Sequence, residues 1–110
     1  MELITGGRYQ GKKEYAENVL GYAQENIICD FNETVKDMLS KGLDPALYVD
    51  DILKNRQDAA VIAEETGCGI IPSDPKEREY RTAVGRLVCA LSENAEHVYR
   101  VTAGLGIRLK

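Results

Sequence analysis

The chain has few of the residues from which special sites are made. It holds one histidine, and its three cysteines, Cys29, Cys68 and Cys89, are odd in number and widely spaced, with no C-x-x-C pair. That spacing gives neither a disulfide framework nor a zinc site. No apolar run reaches membrane length, and no basic stem and apolar signal core follow Met1. No membrane partner and a cytoplasmic location are therefore expected. Basic residues form no run and do not interleave with aromatics, and the formal net charge is −4. Nucleic acid is accordingly not expected as a partner. Repeats, linkers and low-complexity stretches are missing too. What remains is 110 residues with 44% hydrophobic and 29% charged, the balance expected of one globular domain over residues 1–110. A chain of this size buries roughly two thirds of the surface its unfolded form exposes, enough for a core that an oligomer contact would reinforce.

The most informative stretch is residues 4–13, Ile-Thr-Gly-Gly-Arg-Tyr-Gln-Gly-Lys-Lys. It ends an apolar strand in the phosphate-loop pattern G-x-x-x-x-G-K-[ST] with one part changed. In that pattern backbone N–H groups surround phosphate, the lysine reaches the β/γ oxygens and the last hydroxyl binds Mg²⁺. Gly6, Gly11 and Lys12 fit, with Gly7, Arg8, Tyr9 and Gln10 between them, but Lys13 replaces the hydroxyl. A second ammonium repels a cation, so ATP or GTP phosphate is the expected ligand while Lys13 counts against Mg²⁺. The plain alternative is a glycine-rich turn with an exposed lysine.

Around this loop strands and helices alternate. Leu3 and Ile4 open a buried strand, and residues 12 to about 25 carry Tyr15, Val19 and Leu20 at helical spacing. Residues 26–30 read as a second strand ending in Asp30, followed by a helix marked by Asn32 at its start and Lys41-Gly42 at its close. Asp44 before Pro45 opens a short helix, and residues 59–63 make a third buried strand. A loop over residues 66–72 leads to a long helix over about 75–92, with Tyr80, Val84, Leu87, Val88 and Leu91 on one side. Residues 98–102 and 105–109 close the chain as a hairpin across Gly104. The order predicts an α/β fold: a P-loop NTPase-like, mostly parallel sheet flanked by helices, with a closing C-terminal hairpin and ligands at the carboxyl edge.

Two acids fall at that edge. Asp30 holds the position of a strand-end acid that binds Mg²⁺ directly or through water, or else it caps the helix that follows. Glu65 would serve acid/base or metal chemistry if desolvated, and is otherwise a loop carboxylate. Arg8 would contact phosphate or stay solvated. His97 lies near the start of a late strand, which favours a surface or satisfied histidine, and Cys68 has no recognised base beside it. Arg78, Arg81 and Arg86 read as the solvated face of the last helix.

The chain resembles the bifunctional adenosylcobinamide kinase / adenosylcobinamide-phosphate guanylyltransferase family of cobalamin biosynthesis, over about half its length. Thr5 through Lys13 with Ala16-Glu17 matches that family's GG-x-R-S-G-K-S loop and following A-E pair. Glu65-Thr66-Gly67-Cys68-Gly69-Ile70-Ile71-Pro72 looks like its E-x-G-x-G-I-V-P element, and Tyr80-Arg81 with Gly85-Arg86 like its F-R-D-x-x-G-R helix. Residues 102–110 are similar to its closing S-G-x-G-x-x-x-K hairpin, and residues 27–30 with Thr34 to its acidic strand. The resemblance implies a nucleotide-dependent kinase, a corrinoid substrate and a shortened member. The second strand and the helix with the histidine that accepts GMP are missing between helix one and Asp30, so guanylyl transfer is expected to be lost. Tyr9, Gln10, Lys13, Thr82 and Val88-Cys89 stand where that family carries Arg, Ser, Ser, Asp and Asn-Gln.

Two readings follow. As a kinase, Lys12 would hold the β/γ-phosphates, Asp30 would carry Mg²⁺ and Glu65 would assist substrate or metal placement. As a noncatalytic protein, the chain would keep the fold for nucleotide sensing or for assembly as a homo-oligomer, which would cover an edge left by the missing strand.

Overall fold

Apolar runs without polar interruption form the middle of the sheet. The structure is a computed structural model that describes residues 1–65 and 73–110. At its centre β1 (Glu2–Gly6) pairs in parallel with β3 (Ala60–Glu64) on one side and with β4 (His97–Thr102) on the other. The two-residue β2 (Ile27–Ile28) lies parallel outside β3, and β5 (Leu105–Arg108) lies antiparallel outside β4. The order is therefore β2-β3-β1-β4-β5. Central parallel strands are covered on both faces, which is why Leu3-Ile4 and residues 60–63 carry no alternation of polar and apolar residues. The expected α/β architecture with a mostly parallel sheet and a closing hairpin is present.

The two faces are unequal. Leu3, Val61, Ala63 and Val98 point to the side packed by α2 (Phe31–Ser40), α3 (Ala46–Asn55) and α4 (Pro75–Asn94), whose Phe31, Val35, Ile52, Val84 and Leu91 complete the larger core. Ile4, Ala60, Ile62 and Val101 face the other way, against Ala16 of α1 (Lys12–Asn18) and the partly buried Tyr15, Leu20 and Tyr22.

Local chemistry sets most boundaries. Asp74 caps α4 by accepting from Lys76 N–H at 3.0 Å, with Pro75 at the first helical position. Gly42, at φ 72°, ends α2: its N–H reaches Leu39 O at 3.1 Å, and Leu43 N–H reaches Met38 O at 2.9 Å. The Lys110 ammonium closes α4 from afar, donating to the carbonyls of Ser92 and Glu93 at 2.9 and 3.0 Å. Ala103 and Gly104, at φ 51° and 77°, make the two-residue turn between β4 and β5 whose twist suits a hairpin.

Three boundaries differ from expectation. The first helix stops at Asn18 rather than near residue 25, because the N–H groups of Val19 and Leu20 both close on Tyr15 O and Gly21 turns at φ 79°. This brings Leu20 and Tyr22 back onto the sheet. The second strand is only Ile27–Ile28, since Asn26 belongs to a preceding 3₁₀ turn and Asp30 stands at the N-cap of α2. Asn32 is therefore not a cap; it is buried inside the first turn of α2. The expected loop at 66–72, with Cys68 and most of its glycine-rich element, lies outside the described residues.

Candidate phosphate-loop site

β1 delivers the chain to the carboxyl edge beside β3, where the connections leave in opposite directions: β1 continues toward β2, and β3 continues over β1 to β4. Ligand crevices of open α/β sheets form at such a reversal. Gly6 sits there at φ 151°, and a Cβ on it would stand 2.4 Å from Val101 O, so only glycine lets the loop leave β1 against β4. The loop then rises through Arg8 and Tyr9, the latter at φ 60° and 94% exposed.

What holds this turn is Gln10. Its Oε1 accepts from Ala103 N–H at 2.7 Å and its own carbonyl accepts from Gly104 N–H at 2.8 Å. The loop is thus fastened to the β4–β5 turn, and Gly11, at φ 87°, lies against Gly104. α1 begins immediately, and Lys12 is buried, with its ammonium turned back into the loop to donate to Gly7 O. Burial lowers the Lys12 pKa from the ordinary lysine value; Glu64 and Glu65 oppose that shift and Arg8 adds to it. Lys13 is exposed, one residue further on.

Across the crevice stands the end of β3. Arg8 Nε approaches Glu64 Oε2 at 3.7 Å, and Glu65 takes both hydrogen bonds of a fork from Arg100 of β4, at 2.8 and 3.1 Å. Glu65 N–H donates to Gly6 O at 2.9 Å, tying the two strand ends together. Asn32 completes the outer edge of β3: its Oδ1 accepts from Glu64 N–H at 2.9 Å, and its Nδ2 donates to Glu64 O at 3.2 Å and to Tyr80 OH at 3.3 Å. One amide side chain thereby pairs with β3 where β2 has already ended. Between Arg8, these glutamates, α2 and α4 lies a polar cavity of about 360 Å³.

Of the residues expected from sequence, the loop of residues 6–13 and Glu65 meet at this crevice. Asp30 is exposed at the start of α2, beyond the edge strand, and its carboxylate makes no side-chain cap. β2 is two strands from β1, about 10 Å at the usual spacing. Glu64, not singled out from sequence, is the acid beside Arg8 and Lys12. Among the described residues no three His, Cys, Asp or Glu side chains gather as a metal cage.

His97 lies at the opposite, amino-terminal edge, paired in register with Glu2. Its Nδ1 is 2.8 Å from Glu2 Oε2, and Tyr22 and Tyr99 also donate to that carboxylate. Burial raises the Glu2 pKa, but the hydrogen bonds from Tyr22 and His97 outweigh it and leave the carboxyl below its usual value of 4.5. Burial, and then the bond to Glu2, pushes the Tyr22 hydroxyl well above the ordinary phenol range. The histidine is thus satisfied and sits away from the loop, as its sequence position suggested.

A five-stranded, mostly parallel α/β sheet with a glycine loop and a lysine at the reversal of strand order is a P-loop-like arrangement. Residues 44–109 match the family described as cobinamide kinase / cobinamide phosphate guanyltransferase, and the chain belongs to that family. The matched stretch runs from Asp44 through the closing hairpin; the loop of residues 6–13 and Asp30 precede it. Comparison with curated proteins finds no match.

The contacts that sequence reasoning missed act at long range. Gln10 reaches 93 residues to Ala103, and Asn32 reaches 32 residues to Glu64. Polar side chains inside an apolar-periodic helix start were the only sequence signal for Asn32, and that signal is shared by ordinary caps.

Proposed function

We propose that this chain binds the phosphates of ATP or GTP at residues 6–12 and carries out the kinase half of its family's chemistry on a corrinoid alcohol, without the guanylyl-transfer half. The observation that carries this reading is Lys12, a buried ammonium turned into the glycine loop at the reversal of strand order. Its partner there, the Gly7 carbonyl, is a neutral acceptor that a triphosphate oxygen would replace with a stronger, charge-assisted bond. Arg8, held by Glu64 across 3.7 Å, supplies a second cation at the crevice mouth.

In the reaction the acceptor's hydroxyl oxygen bonds to the γ-phosphorus while the bond from that phosphorus to the β–γ bridging oxygen breaks. The nucleoside diphosphate leaves, and the hydroxyl proton passes to a carboxylate at the end of β3 or to water. Lys12 and Arg8 would neutralise charge on the transferring group, where most phosphoryl-transfer catalysis is positioning and electrostatics. The residues do not fit a protein-built Mg²⁺ site: Lys13 stands at the hydroxyl position, and Glu64 and Glu65 face arginines. No step is therefore routed through a metal.

The absence of guanylyl transfer rests on the histidine. The only one in the chain, His97, starts β4 about 13 Å below the level of the loop, counting four residues of strand, and is bonded to Glu2. Calorimetry with ATP and GTP, with and without Mg²⁺, tests the reading. Binding weakened at least tenfold by Lys12→Ala supports it, as does turnover with cobinamide; no binding of either nucleotide by the wild-type chain refutes it.

One further observation favours the assembly reading. Leu105 and Ile107 of β5 and Leu109 just beyond its end are 74%, 62% and 62% exposed, and β5 has no outer neighbour among the described residues. An apolar free edge is a template for pairing with a second copy. Solution mass at micromolar concentration tests this, and a monomer would count against it.

A further inference from the structure

The glycine loop and the start of α1 rest on the β4–β5 hairpin at three places. A Cβ on Gly6 would stand 2.4 Å from Val101 O of β4, and a Cβ on Gly106 of β5 would collide with the ring of Tyr15 on α1. Gly11 lies against Gly104 of the turn, where a Cβ would be 3.4 Å from the Gly104 Cα. Tyr15 also packs on Tyr99 of β4, with ring centroids 5.8 Å apart. Polar bonds join the same two parts: Gln10 Oε1 accepts from Ala103 N–H at 2.7 Å, and Gln10 O accepts from Gly104 N–H at 2.8 Å. The other side of the loop is held loosely. Arg8 meets Glu64 only at 3.7 Å, with its own side chain 70% exposed, and such surface pairs contribute little.

We infer that Gln10 is a positioning residue for phosphate: it makes the tip of the β4–β5 hairpin the floor of the glycine loop, so that phosphate binding and closure of the tip onto the loop are coupled. The inference rests on the nucleotide reading above and adds the element that governs that site. Its first support is what happens to Lys12. The Lys12 ammonium staples the loop from within by donating to Gly7 O, and a bound phosphate draws that ammonium away. The two bonds from Gln10 to the turn do not use Lys12, so they continue to aim the loop's N–H groups once the inner staple is gone. Donors aimed in advance lower the ordering cost of binding. The second support is exposure. Ala103 is exposed and Gln10 only half-buried, so water would satisfy that turn N–H if the side chain were absent. The fold therefore does not require this bond, and fixing a long glutamine side chain costs rotamer freedom. What the bond does secure is the loop's register on the hairpin. Coupling of this kind is reciprocal: whatever closes the tip favours phosphate, and phosphate favours the closed tip by the same factor.

The test uses Gln10→Met, which keeps the length of the side chain and removes its accepting oxygen. Calorimetry with ATP, GTP and inorganic tripolyphosphate is combined with amide hydrogen exchange of the full chain by NMR. In the wild type, saturating tripolyphosphate is expected to slow exchange at Ala103 and Gly104. In Gln10→Met, Ala103 should exchange faster without ligand, and all three ligands should bind about fivefold more weakly, the change expected for one hydrogen bond of ordinary net strength. Gln10→Glu, which retains an accepting oxygen, should keep the protection of Ala103. A purely structural role would lower the melting temperature, leaving the affinity of the folded chain and the ligand's effect on Ala103 unmoved. Affinity changed less than twofold in folded Gln10→Met, or Ala103 and Gly104 amides indifferent to saturating ligand, overturns the inference and leaves the nucleotide reading standing. Should Gln10→Met fail to fold, the ligand's effect on the two wild-type amides decides. No binding of any of the three ligands by the wild type overturns both, and binding that depends on Gln10 without turnover of cobinamide refutes the kinase reading alone.

Discussion

Replacing Asn32 tests how the crevice is built. Its side chain is 6% exposed in relative terms and makes three hydrogen bonds, two with the backbone of Glu64 and one with Tyr80. Each such bond contributes about 0.5–1.5 kcal/mol, and a donor or acceptor left buried without a partner costs about 1–3 kcal/mol. Asn32→Leu keeps the volume and removes all three bonds, so it should destabilise the chain by about 3 kcal/mol. That is a large share of the roughly 5–15 kcal/mol that holds a domain folded. In urea denaturation, with a slope of about 1–3 kcal/mol per molar, the midpoint should fall by about 1–3 M. Asn32→Asp separates the contributions: the carboxylate still accepts from Glu64 N–H but cannot donate to Glu64 O, and it adds a negative charge beside Glu64. It should be no more stable than the leucine variant at neutral pH and should gain relative stability as the solution is acidified. A loss under about 0.5 kcal/mol for Asn32→Leu, within the range of an ordinary surface change, would refute the view that this amide completes β3.

Three other expectations follow from the geometry. Gly6→Ala places a Cβ 2.4 Å from Val101 O at a positive φ, so it should cost more than the about 1–3 kcal/mol of local strain and abolish nucleotide binding, read by thermal melting and calorimetry. The Glu2 carboxyl is held below 4.5, so its stabilising effect is present above that value and lost as pH falls through the lower folded value. Glu2→Gln should therefore flatten the acid limb of stability against pH; an unchanged limb would count against the cluster with Tyr22 and His97. Burial lowers the Lys12 pKa, and phosphate favours its charged form, so nucleotide affinity should decline with rising pH before an ordinary lysine would titrate. Calorimetry from pH 7 to 10 reads this, and a flat affinity would mean Lys12 does not touch phosphate.

Much of the fold was legible because the signals are local. The continuous apolar run at residues 60–63, the acid and proline, Asp44 and Pro45, ahead of α3, and the glycine in the β4–β5 turn each act within a few residues, and each appears where its pattern placed it. The errors fell where neighbours in space overrode neighbours in sequence. α1 carried helical spacing past Asn18, but Gly21 and the packing of Leu20 and Tyr22 on the sheet ended it early. Asn32 looked like a cap because a polar residue before an apolar helix usually is one; the short β2 left the edge of β3 unpaired, and the amide filled it.

The sequence by itself determined the alternation of elements, the glycine loop after the first strand and the residues by which the chain resembles its family. These depend on periodicity, on backbone freedom at glycine and on short spacings, all encoded within one element. Only the tertiary structure decided which charges face the loop. Glu64 stands beside Arg8, Arg100 holds Glu65 from 35 residues away, and Gln10 fastens the loop to a turn 93 residues distant. Strand order governs such meetings, because pairing brings β1 between β3 and β4 and leaves Asp30 beyond the far edge, and no local pattern in the chain specifies that order.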